Sequence, residues 1–389
     1  MDRLPGADQN ALVLSAGGAR GAYQAGVLRG VVEIGKLSGQ RCPFSIFAGT
    51  SAGALNCAAL TAFADDFAGA VTKLVELWSS VTTSQIFRVD LRSYGAIGLR
   101  WVRDLSLGGL MRANRVQSLL DTSPLRALIQ TELPFARIGE MIDAGQVKAL
   151  AVSATNMHTA NGVTFVQAGP SLKLWQRPLW VSERATIGAD HVLASGAIPI
   201  FFPAVRIGER YFSDGGIRNT APLRPAIQLG ARRILAVGVR REKGAAEEAR
   251  HRAAGPPSIG QVAGVLVNTV LLDAIEIDVE RIERVNRFIA ASPTDAPAAA
   301  FSPIDAVWIS PSVDLGELAA SHVHRIPRTV RHLLHGLGSE ESTSALASYL
   351  MFVPDYCRAL IALGQADAWR QRDRIEALLV DATPAEQVR

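Results

Sequence analysis

An α/β fold, with a mainly parallel sheet flanked by helices, is the class this sequence predicts. Two strand–turn–helix units follow one another near the N-terminus, and apolar runs of strand length recur further along the chain. Of 389 residues, 48% are hydrophobic and 20% charged, which is enough apolar material for a sizeable core in one large domain or two smaller ones.

In the first unit, ALVLS (11–15) reads as a strand, AGGARG (16–21) as a glycine-rich turn, and a helix follows over 22–34. FSIFA (44–48), a tight turn at Ser51 and the apolar run after it repeat the plan. Runs at 149–155, 163–166 and 234–239 qualify as further strands, the second entered through an Asn161-Gly162 turn. Residues 241–262, charged and then rich in proline and glycine, form a solvated excursion. Leu272, Ile275, Val279, Ile282 and Ile289 recur at helical steps between charged residues, as a long helix packed on the core requires. A loop rich in alanine and proline (290–304) leads to a further strand at 306–310, and from Leu315 the pattern is mostly helical.

The bulk numbers exclude several classes. A net charge of +4 is too small to argue for nucleic acid. No run approaches the ~20 apolar residues that span a bilayer, and MDRLPGADQN lacks the apolar segment of a signal peptide. Cys42, Cys57 and Cys357 are scattered, without the spacing of a metal site or a disulfide framework. No cofactor or metal is expected, and a cytoplasmic location fits best.

GTSAG (49–53) carries the first chemistry. A serine hydroxyl is a poor nucleophile unless it is presented and deprotonated. A sharp strand-to-helix turn presents it, provided the residues two positions either side are small; Gly49 and Gly53 satisfy that demand. The competing reading is a Ser51 that merely caps the following helix. Gly17, Gly18 and Gly21 form a second cluster, where backbone N–H groups approach an anion. The cluster lacks both the P-loop ending and the dinucleotide spacing, whereas an oxyanion hole fits it. Arg20 steadies that loop, draws in an anionic head group, or is simply solvated.

A Ser-His-Asp hydrolase needs a histidine base. Of the seven histidines, none of His251, His322, His324, His332 and His335 has a fitting context, while His158 and His191 remain open. Asp214 stands before Gly215 and Gly216 after a short apolar run, so that its carboxylate faces a pocket from a tight turn; an ordinary Asp-Gly hairpin turn is the rival.

Taken together, AGGARG, GTSAG, the stretch ASGAIPIFFPAV (194–205) and DGG (214–216) resemble, in order and rough spacing, the patatin-like phospholipases. The resemblance covers about residues 11–240. It implies a three-layer α/β fold, a catalytic core over 8–240 and an α-rich section over 263–389 packed on it. It also implies acyl ester hydrolysis by a Ser-Asp dyad, with Ser51 as nucleophile and Asp214 as base. Gly17, Gly18, Arg20 and Gly21 then form the oxyanion loop, Gly49 and Gly53 the elbow, and Gly215 and Gly216 the aspartate turn. Many members carry a third glycine at the position of Ala16; the change leaves the hole intact, since the donors are backbone N–H groups. An ordinary aspartate, with a pKa of about 3.9, is a weak base, so partial burial is expected to raise Asp214.

The expected substrate is a phospholipid or another acyl ester. Two alternatives stay open, transfer of the acyl group to an acceptor other than water and a catalytically silent lipid-binding scaffold. Residues 86–116 mix Arg88, Arg92, Arg100, Arg103, Arg112 and Arg115 with large apolar side chains. That composition suits peripheral contact with an anionic inner membrane surface or a lid over a greasy pocket, although an ordinary helical subdomain with an arginine face is preferred. IPIFFPAV (198–205) reads as the lining of an acyl channel or as plain core.

Overall fold

Every residue of three central strands is buried, and that reflects a sheet covered on both faces. The computed structural model describes residues 10–88, 118–219, 221–241, 275–291, 302–327, 331 and 346–380. Most of the excursion at 241–262, most of the loop at 290–304, Leu272 and nearly all of the basic stretch at 86–116 lie outside them.

The strands are β1 (Asn10–Leu14), β2 (Ile46–Thr50), β3 (Ala149–Asn156), β4 (Gly162–Ala168), β5 (Gln176–Arg177), β6 (Trp180–Arg184), β7 (Val205–Ile207), β8 (Arg210–Asp214), β9 (Arg233–Val237) and β10 (Asp305–Ile309). They make one sheet in the order β10-β9-β1-β2-β3-β4-β6-β5, with β8 also paired to β3 and β7 to β8. From β10 to β3 all neighbours are parallel. The run expected at 163–166 is the longer β4, which folds back antiparallel on β3. The short strands β5 to β8 were not expected from the sequence.

Alternation along each strand sorts side chains to opposite faces. Leu12, Leu14, Phe47, Leu150, Val152, Leu235 and Val237 join one apolar core. Helices α1 (Gly21–Ile34), α2 (Ala52–Ala62) and α3 (Phe67–Ser80) cover that core together with the helices Pro354–Arg370 and Arg372–Val380. Ala11, Val13, Ile46, Ala48, Ile234 and Ala236 face a second core, closed by Leu223, Ala226 and the helix Ile275–Ala291. In that helix Ile275, Val279 and Ile282 are buried and Ile289 is half-buried.

The C-terminal section adds β10 to the edge of this sheet and lays Pro354–Arg370 along α1. The two helices touch at backbone distance. A Cβ on Gly26 would come 2.1 Å from the Ile361 carbonyl oxygen, and one on Gly364 would come 2.2 Å from that of Tyr23. Glycine costs an α-helix roughly 1 kcal/mol relative to alanine, and the dispersion contacts of two closely apposed helices offset it.

Candidate active site

Ser51 occupies the single residue between β2 and α2, with φ 55° and ψ −123°. A non-glycine residue persists there only when its surroundings over-determine it. Gly49 and Gly53 allow the turn: a Cβ on Gly49 would meet the Gly53 carbonyl oxygen at 2.4 Å, and one on Gly53 the Leu14 carbonyl oxygen at 2.2 Å. The Ser51 hydroxyl makes no capping bond to α2, so the capping alternative does not hold.

Strand pairing closes the long sequence gap to Asp214. Thr50 pairs with Ser153 across β2 and β3, and the next residue, Ala154, pairs with Asp214 across β3 and β8. Asp214 therefore ends β8 beside the elbow, and Thr155 Oγ1 donates to its carbonyl oxygen at 2.9 Å. The Asp214 side chain is fully buried. Oδ1 accepts the Gly216 N–H at 2.8 Å, while Oδ2 is buried without a hydrogen-bond partner. Burial drives the carboxyl up to about 6; the Gly216 N–H and, after it, the Ser51 hydroxyl hold it down. The Ser51 hydroxyl is thus near enough to act on the carboxyl.

Gly18, at φ +52°, lines the same cleft as Ser51. Its place tolerates no side chain, since a Cβ would lie 2.3 Å from the Tyr349 carbonyl oxygen. Gly17 precedes a single 3-10 turn closed by the Arg20 N–H on the Gly17 carbonyl (3.0 Å), and Gly21 opens α1 against Ala52 and Trp78. The glycine loop and the elbow are therefore neighbours. Arg20 is neither solvated nor available to a head group. It is buried, donates through Nε and Nη2 to Ser348 Oγ at 2.9 and 2.6 Å, and lies 4.1 Å over the Tyr349 ring.

Among the described residues, the groups that shift the Asp214 carboxyl include no imidazole. His191 Nδ1 accepts the Gly188 N–H at 3.1 Å with its ring edge-on to Phe165, and burial lowers its pKa. His158 is exposed at the end of β3 beside Tyr211. His251, His332 and His335 lie outside the described residues.

An apolar cleft opens beside Ser51, walled by Leu77, Trp78, Leu128, Val192, Ile198 and Phe202. Of the stretch 198–205, Ile198 and Phe202 face this cleft, Phe201 is core, and Ile200 is exposed. Buried polar groups lock one wall: Trp78 Nε1 donates to Asn56 Oδ1 (2.9 Å), Asn56 Nδ2 to Gln24 Oε1 (2.9 Å), and Gln24 Nε2 to the Ser15 carbonyl (2.8 Å). Sequence reasoning missed this set, and also missed Asn219, whose Nδ2 donates to Thr50 Oγ1 at 2.9 Å beside the elbow. For Gln24 and Asn56, a polar amide inside an otherwise apolar helix was the available signal. Among the described residues no group of acidic, histidine or cysteine side chains is arranged to hold a metal, and no helix is long and apolar enough to cross a membrane.

Among solved structures, VipD from Legionella pneumophila is similar with 13% identity and a TM-score of 0.36, covering 88% of this chain and 67% of its own. A chain of the heterodimeric ExoU–SpcU complex of the type III secretion system of Pseudomonas aeruginosa is similar with 17% identity and a TM-score of 0.29, covering 98% of this chain and 75% of its own. No curated protein matches. Residues 12–227, more than half of the chain, match the family described as patatin-like phospholipase, and the match spans the glycine loop, the elbow and the aspartate turn. The chain belongs to the patatin-like phospholipase family.

Proposed function

We propose that this protein is a serine acyl hydrolase that cleaves phospholipids or related acyl esters, with Ser51 as nucleophile and Asp214 as general base. One observation carries the reading. A buried carboxyl, one of whose oxygens has no hydrogen-bond partner, lies close enough to the Ser51 hydroxyl for that hydroxyl to lower its pKa, and Ser51 itself is held on a strained turn lining an apolar cleft.

The steps follow from those groups. The Asp214 carboxylate takes the Ser51 proton as Oγ bonds to the ester carbonyl carbon. The carbonyl oxygen becomes an oxyanion, met by N–H groups of the 17–21 loop, each worth roughly 3–4 kcal/mol of barrier. As the tetrahedral species collapses, the C–O bond to the alcohol breaks and Asp214 returns the proton to the leaving oxygen. Water then gives a proton to Asp214 and its oxygen attacks the acyl-enzyme. Release of the acid restores the Ser51 hydroxyl and the ionised carboxylate. The cleft walls take up the acyl chain at about 25 cal/mol per Å² of apolar surface removed from water.

A panel of esters from short to long acyl chain, assayed with wild type, Ser51→Ala and Asp214→Asn, tests this. Wild type is expected to hydrolyse, Ser51→Ala to be inactive, and Asp214→Asn to be lowered by roughly 10²–10⁴-fold. Wild-type rates in either variant would overturn it. Product analysis with added alcohols separates hydrolysis from acyl transfer, and complete inactivity of wild type on every ester would favour a lipid-binding scaffold.

A further inference from the structure

A third segment of the chain, residues 195–197, is hydrogen-bonded to the backbones of both Ser51 and Asp214. At one end, the fully buried Ser195 Oγ accepts the Ser51 backbone N–H at 2.8 Å and donates to the Ser153 carbonyl at 2.6 Å. At the other end, the Ala197 carbonyl accepts the Asp214 N–H at 2.9 Å and the Ser213 hydroxyl at 2.6 Å. Between them Gly196 lies against the nucleophile: a Cβ there would sit 3.9 Å from Ser51 Oγ.

We infer that Ser195 is a positioning residue for the dyad, and that the Ser195-Gly196-Ala197 tripeptide works as a caliper between nucleophile and base; the inference rests on the Ser-Asp reading above. The Ser51 backbone sits where few L-residues rest, so something outside the turn must hold it. The Ser195 hydroxyl is suited to that, because its acceptor and donor capacities are both committed, one to the elbow and one to β3. The Ser153 carbonyl that it binds also abuts Gly215, whose Cβ would come within 2.3 Å of it. The tie therefore ends on the strand against which the aspartate turn is seated. The separation of Ser51 and Asp214 depends on what holds their backbones, and residues 195–197 bond to both. Removing the Ser195 hydroxyl takes its bonds away from the buried Ser51 N–H and from the Ser153 carbonyl, and frees the turn to relax away from Asp214.

The test is the rate at which Ser51 is labelled by a fluorophosphonate, measured beside kcat and KM, in wild type, Ser195→Ala, Asp214→Asn and the double variant. Ser195→Ala is expected to remain folded, to lose at least tenfold in kcat and labelling rate, and to keep KM within twofold. In the Asp214→Asn background the same change is expected to add less than twofold, since Ser195 acts only through the dyad. Wild-type rates in Ser195→Ala, a raised KM with kcat intact, or additive losses in the double variant would overturn the inference. If Ser195→Ala does not fold, Ser213→Ala loosens the other end of the caliper and carries the same expectations and the same refutations. Wild type that is never labelled at Ser51 would sink the hydrolase reading instead, which keeps the two failures apart.

Discussion

Arg20 and Ser348, 328 positions apart, share two hydrogen bonds at 2.9 and 2.6 Å inside the protein. Through that contact and the Tyr349 carbonyl pressed against Gly18, the C-terminal section shapes the loop assigned to the oxyanion. Arg20→Met keeps the apolar stem and removes the fork, and with it two buried hydrogen bonds from a charged group, at a cost of about 1–3 kcal/mol. The variant should melt several degrees lower and lose kcat as the loop loosens, and Arg20→Lys should not restore it, because an ammonium cannot reproduce the fork or the stacking on Tyr349. Thermal unfolding run beside steady-state kinetics checks this; an unchanged kcat would dissociate the loop from the chemistry.

With Asp214 as the proposed base, its carboxyl sets the pH dependence. A base must be ionised, so kcat/KM should rise with pH through about 6, the value to which burial lifts this carboxyl. Stability should move the other way. The folded state holds the proton more tightly than the unfolded chain between about 4 and 6, so stability falls as pH rises through that window and stays lower above it. Asp214→Asn removes the buried charge and should be more stable than wild type above pH 6, by up to roughly 3 kcal/mol, while losing activity. Denaturant titrations at pH 4 and pH 7 read the difference, and equal stabilities at pH 7 would show that the folded carboxylate carries no burial penalty.

Gly196 is a glycine for space and not for backbone conformation, since its φ of −100° and ψ of 9° suit other residues. Gly196→Ala places a methyl group beside Ser51 Oγ at ordinary contact distance. The fold should be unaffected and the approach of a substrate carbonyl obstructed, lowering kcat/KM by tenfold or more with Tm within about two degrees. A fully active Gly196→Ala enzyme would mean that the ester approaches from the opposite side of Ser51.

Trp78 limits the cleft, stacked on Phe352 at a ring separation of 6.3 Å and tied to Asn56. Trp78→Phe shortens that wall and strands the Asn56 carbonyl oxygen, costing about 1–3 kcal/mol. Preference across an acyl-chain series should shift toward longer chains by at least one step of two carbons. An unshifted profile would remove Trp78 from the acyl-binding wall.

What could be read from the sequence follows the range of the interactions. GTSAG and DGG announce themselves because the constraints on the elbow and on the aspartate turn act within five residues. Strands β1, β2, β3 and β9 were legible because both of their faces are buried, leaving unbroken apolar runs. β5 and β7 escaped because Gln176, Arg177 and Arg206 are exposed, and strands so short carry no pattern. Arg20 stayed ambiguous because its partner Ser348 and the Tyr349 ring lie in a distant segment, and an arginine is rarely buried unless paired. Ser195 was hidden for the same reason, since both of its bonds span more than 40 residues.

The most direct measurement is mass spectrometry of wild type and Asp214→Asn quenched during turnover of an acyl ester. The account predicts an acyl group on Ser51 of wild type, formed faster as pH rises through about 6, and none on Asp214→Asn within the same interval. An acyl group found on any other residue, or Ser51 acylated at the wild-type rate without the carboxylate, would contradict it.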